Sequence, residues 1–143
     1  MTIDPAVLVV NLRAAGVLLA ALAVVNLFVP SRFNWRADLS RVSLLNRQIF
    51  QAHSVFLILT LALTSALLLT SADALVEPSP LSRAILIGLT IFWGLRMVMQ
   101  WFFYSPDIWR GNGFFTAMHV VFSVAWMYLT AVFGAALWRV AAR

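Results

Sequence analysis

The chain holds only two imidazoles, His53 and His119. Each falls a turn or so inside the start of a long apolar run, and those runs are the second and fourth of four. Runs two crossings apart traverse a bilayer in the same direction, so both imidazoles are expected in one layer beneath one membrane surface. A neutral imidazole can coordinate a metal through a ring nitrogen, and an unperturbed one titrates at about 6.5, where it can move protons. A pair at one depth could therefore ligate a haem iron or another metal, take part in proton transfer, or hydrogen-bond between helices.

Other polar residues fall at the same depth. Arg96 and Gln100 are four residues apart in the third run and share a helix face. An arginine near mid-membrane costs at least about 2.5–3.5 kcal/mol on insertion scales unless it finds a partner or water. Arg96 is close enough to the end of its run to reach towards that surface along its aliphatic stem. Asn26 lies near the end of the first run on the same side. The expected site thus gathers Asn26, His53, Arg96, Gln100 and His119. Helical spacing aligns His53 with Asn46, Thr60, Thr64 and Ser71, and His119 with Asn112, Thr116, Ser123, Thr130 and Gly134. Small and hydroxyl-bearing stripes of this kind ordinarily face other helices.

Three uses fit such a layer. In the first, His53 and His119 would be the axial ligands of a haem b, with Arg96, Arg47 or Arg110 at the propionates and electrons passing to a quinone or a partner. At the level of architecture this resembles small four-helix membrane cytochromes; the resemblance rests on helix count and histidine placement and on no motif. In the second, Arg96 and Gln100 would hold the carbonyl or anionic head of a quinone, lipid or isoprenoid, with the histidines as hydrogen-bond partners. In the third, the layer packs helices in a small accessory or assembly subunit of a larger membrane complex. The balance leans towards a role without catalysis. No carboxylate falls inside the four runs to orient an imidazole, since Asp38 and Asp107 lie in loops. Two histidines without further ligands fall short of a hydrolytic or di-iron metal site.

The elements that must position these residues follow from composition. Of 143 residues, 63% are hydrophobic and 10% charged, against about 25% charged in soluble domains; the mean hydropathy is +0.94. Four apolar stretches, near 7–29, 49–71, 81–103 and 114–138, each approach the roughly 20 residues that span the hydrocarbon. In lipid each must satisfy its own backbone, so each is expected to be a helix. The fold class is an all-α integral membrane protein, a four-transmembrane-helix up-down bundle forming one membrane domain over residues 1–143. Ser79-Pro80 should start the third helix and Asn112 should cap the fourth, while Pro30 should end the first. Asp38 would cap a short juxtamembrane helix carrying Leu39, Val42 and Leu45.

Charge sets orientation and excludes partners. The formal net charge of +5 comes from ten arginines and five acids, with no lysine. Arg32, Arg36, Arg41, Arg47 and Arg110 lie in the first and third loops, against Arg13, Arg83, Arg139 and Arg143 towards the opposite side. The excess places the first and third loops in the cytoplasm and both termini outside, in a bacterial inner membrane. Phe33, Trp35, Trp101, Phe102, Phe103, Tyr104 and Trp109 form an aromatic belt on the loop side. The basic surplus suits anionic headgroups and gives no soluble face for nucleic acid. The expected partners are the bilayer, a quinone or lipid ligand, and a membrane subunit or a second copy. With no cysteine, thiolate metal sites and disulfides are excluded.

Overall fold

The computed structural model describes residues 3–142; Arg143, counted above for orientation, lies outside them. Every regular element among the described residues is helical: α1 Pro5–Arg32, α2 Trp35–Leu39, α3 Leu44–Val76, α4 Pro80–Phe102, α5 Pro106–Trp109 and α6 Gly113–Ala141. Four of them, α1, α3, α4 and α6, are long and apolar enough to cross a membrane. They coincide with the four apolar runs but extend further at most ends. Thus α3 begins at Leu44 and continues to Val76, taking in Asp73.

The chain divides into two compact units, one of residues 1–12 with 72–143 and one of residues 13–71. The division falls at Ser71, where φ −126° and ψ 18° interrupt α3. In the first unit α4 and α6 run antiparallel: Arg83 Nη2 reaches the Val140 carbonyl at 3.5 Å, and Gln100 at the other end meets His119 and Trp126. The first turns of α1 join them, with Tyr128 Oη donating to Asn11 at 3.2 Å and Arg139 Nη1 to the Ile3 carbonyl at 3.2 Å. Leu86, Leu129, Phe133, Ala136 and Val140 are fully buried there. In the second unit α1 and α3 cross closely at Gly16, whose carbonyl accepts from Ser65 Oγ at 2.8 Å.

Local chemistry explains most boundaries. Ser79 accepts from the Ser82 amide at 3.0 Å while Ser82 Oγ accepts from the Ser79 amide at 3.1 Å, a reciprocal capping box ahead of Pro80. Ser79→Ala is expected to cost about 1 kcal/mol, read as a lowered unfolding midpoint in detergent. Asn112 Oδ1 caps α6 through the Phe115 amide at 3.2 Å, as the sequence predicts.

Two boundary expectations are corrected. Pro30 does not end α1, which runs on to Arg32. A proline fits helical φ and removes one hydrogen bond, and the ladder resumes with the Phe33 amide on the Val29 carbonyl at 3.0 Å. Asp38 is not a cap either. It lies inside α2, which starts after Asn34 in the left-handed conformation at φ 50°, a region asparagine tolerates better than most residues.

Candidate functional site

The two units treat their candidate residues differently. In the first, α4 and α6 bring Arg96, Gln100 and His119 together. Gln100 is buried at 5% exposure and sits at the centre. Its amide takes Arg96 Nη1 at 3.3 Å and Trp126 Nε1 at 3.3 Å on one end, and meets His119 Nδ1 at 3.1 Å on the other.

This arrangement fixes the chemistry of the imidazole. A guanidinium and an indole can only donate, so the amide atom they share is the oxygen. The opposite end of Gln100 is then its NH2, which donates to His119 Nδ1. Neutral His119 therefore carries its proton on Nε2 and accepts at Nδ1. Its ring also lies flat on Trp109, with centroids 4.5 Å apart and planes at 7°. Trp109 is held in turn by Thr116 Oγ1, which donates to its carbonyl at 2.6 Å.

Arg96 is clamped by ring faces. Its guanidinium carbon lies 4.9 Å from the Trp126 centroid and 5.9 Å from that of Tyr104. Such contacts contribute about 0.5–1 kcal/mol at exposed sites and about 2 when desolvated. Trp126 itself stacks with Trp93 at 5.1 Å and with Phe122 at 5.6 Å. The half-buried arginine thus finds a hydrogen-bond acceptor and two π faces instead of a carboxylate.

The small-and-polar stripe of α6 lies against α4, as its periodicity predicts. Thr130 lies opposite Gly94 and Thr90 opposite Gly134, where an added Cβ on the glycine would reach van der Waals distance of the threonine methyl. Trp93 and Trp126 belong to the same cluster and escaped the polar pattern. Each lies seven residues from a recognised member, Trp93 from Gln100 and Trp126 from His119, which is the same-face spacing that would have found them. Tyr104 and Trp109, two members of the expected aromatic belt, both touch the site.

His53 and Asn26 belong to the other unit. His53 is exposed, and its Nδ1 donates to the Ile49 carbonyl of its own helix at 2.8 Å. That bond puts its proton on Nδ1, the opposite tautomer from His119. Of the His53 stripe, Asn46 and Thr60 are exposed too and Thr64 and Ser71 are half-buried, while full burial on α3 follows Leu61, Ser65, Leu68 and Ala72. The exposed Thr60 hydroxyl is satisfied within its own helix, donating to the Phe56 carbonyl at 2.8 Å. Asn26 does the same through the Leu22 carbonyl at 2.8 Å.

Metal binding draws no support from the bonding of His119, whereas His53, with its proton on Nδ1, keeps the Nε2 lone pair. An imidazole ligates through a lone pair; that of His119 at Nδ1 is taken by Gln100, and its Nε2 bears the proton. Among the described residues no three histidine or carboxylate side chains gather as a hydrolytic metal centre would need.

No protein family matches. Neither a curated protein nor a solved structure is similar to this chain.

Proposed function

We propose that this is a multi-pass membrane protein of the cytoplasmic membrane acting as a non-catalytic accessory subunit, with Arg96, Gln100 and His119 serving as an interhelical lock. The single observation that carries this reading is that both ends of the buried Gln100 amide are engaged, by Arg96 and Trp126 at the oxygen and by His119 at the nitrogen. The polar groups of the site bond one another across two helices, which suits a packing element better than a site awaiting substrate. The four apolar helices supply the spans, and the arginine excess favours the first and third loops on the cytoplasmic side. The end of α4 offers Phe102 and Phe103, 80% and 71% exposed, to lipid or to a partner helix.

Membranes solubilised in mild detergent test the accessory role. The protein should migrate in native electrophoresis as part of an assembly larger than one chain; recovery only as a stable, monodisperse monomer would overturn it. The haem alternative has its own readout. Purified protein should show no Soret band before or after dithionite, and His53→Ala should change stability by less than about 0.5 kcal/mol, as expected for an exposed side chain bonded within its own helix. A Soret band abolished by His53→Ala would replace the lock with a cytochrome.

A further inference from the structure

The α1–α2–α3 unit contains an open cavity of about 770 Å3 whose lining changes character from one end to the other. Towards the loops it is lined by Asn34, Arg36 and Arg47, and further along α1 and α3 by Leu27, Val55, Leu57 and Ile58, with Asn26 and Ser54 among them. Arg36 is exposed and Arg47 half-buried, and among the described residues neither forms an ion pair. Pro30 also lines the cavity and lacks the amide that would bond the Asn26 carbonyl one turn back.

We propose that this cavity binds one anionic phospholipid, with the Arg36 and Arg47 guanidiniums on the phosphate and the start of an acyl chain along Leu27, Val55 and Ile58. Three observations converge on that ligand. Guanidinium is the side chain best matched to phosphate, through paired charge-assisted N–H donors. The same cavity is lined by Leu27, Val55 and Ile58, which suit an acyl chain that a soluble phosphate ester lacks. The volume lies in the range of small-ligand sites, enough for a head group and the first carbons of its chains but not for a whole lipid. Asp38, on the same short helix as Arg36, does not line the cavity. The inference rests on the bilayer placement proposed above, which co-flotation of the protein with vesicles reports separately.

The test is native mass spectrometry of the full chain reconstituted from phosphatidylcholine vesicles doped with phosphatidylglycerol, then stripped stepwise of lipid. The wild type should keep one phosphatidylglycerol in preference to phosphatidylcholine. The double substitution Arg36→Gln with Arg47→Gln should reduce that retention by at least about tenfold, the effect of losing a charge-assisted bond. Leu27→Trp, which keeps both charges and fills the apolar wall, should reduce it as well. Arg83→Gln, in the other unit, should leave it unchanged. Equal retention by the wild type and both cavity variants would overturn the proposal. Displacement of the lipid by millimolar inorganic phosphate would also overturn it, in favour of a site for free phosphate. A double variant that still floats with vesicles and keeps its helical circular dichroism shows that lost retention is not lost folding.

Discussion

Gln100→Leu is expected to lower the free energy of unfolding by about 2 kcal/mol, measured by denaturant titration in detergent micelles. Leucine keeps most of the volume, so the loss is polar. Two of the three bonds at Gln100 cross from α4 to α6, to Trp126 and His119. Interhelical hydrogen bonds in membrane proteins average about 0.6 kcal/mol and reach about 1.7. The substitution also strands the Trp126 indole amide in a buried position. Trp93 Nε1 and Trp109 Nε1 are already buried without partners, so no spare acceptor lies ready beside the cluster. Gln100→Glu separates the roles of the two amide ends. It keeps an oxygen towards Arg96 and Trp126 but offers no donor to His119 Nδ1. The imidazole would have to move its proton to Nδ1, and the cost should be less than half that of leucine. Nitrogen chemical shifts of the His119 ring should report Nε2–H in the wild type and Nδ1–H in Gln100→Glu. A wild-type ring already protonated at Nδ1 would refute the assigned lock.

The limits of the sequence show in the contrast between α3 and α6. Both helices carry a histidine on a stripe of small and hydroxyl-bearing residues, and the pattern predicts that both stripes face other helices. On α6 the stripe is half-buried from Thr116 to Gly134, and α4 supplies Gly94 and Thr90 opposite Thr130 and Gly134. On α3 only Thr64 and Ser71 are half-buried, while Asn46, His53 and Thr60 are exposed. Periodicity reports which residues share a face; it does not report which face finds a neighbour. The four long helices were legible from apolar length alone, and their caps from serine, proline and asparagine. The proline at position 30 misled, because it removes one bond without forbidding the next turn. The Arg96–Gln100 pair was legible from spacing, whereas Trp93 and Trp126 read as ordinary apolar residues. Only their contacts reveal that the Trp126 indole bonds Gln100 and offers a π face to Arg96, with Trp93 stacked against it.

Gly16→Val should be the most damaging single substitution in the α1–α3 unit, costing about 3 kcal/mol in the same titration. A Cβ built at Gly16 would sit 3.0 and 3.1 Å from Leu69 side-chain atoms and 3.2 Å from Leu68 Cβ. The Leu69 contact can relax, since that side chain is exposed and ends in free rotamers. The Leu68 contact cannot relax so easily, because Leu68 is fully buried and its Cβ moves only with the α3 backbone. Parting the helices would also stretch the 2.8 Å bond from Ser65 Oγ to the Gly16 carbonyl, leaving a buried hydroxyl without its acceptor. Alanine at the same position adds one methyl and gains about 1 kcal/mol of helix propensity. Gain and crowding then oppose each other, and Gly16→Ala should fall within about 1 kcal/mol of the wild type. Gly88, in α4, is the matched control: nothing lies within 4 Å of its added Cβ. Gly88→Ala should therefore stabilise by about 0.5–1 kcal/mol, the propensity difference alone. If Gly16→Val and Gly88→Val lower stability equally, close approach of the two backbones is not what makes glycine necessary at position 16.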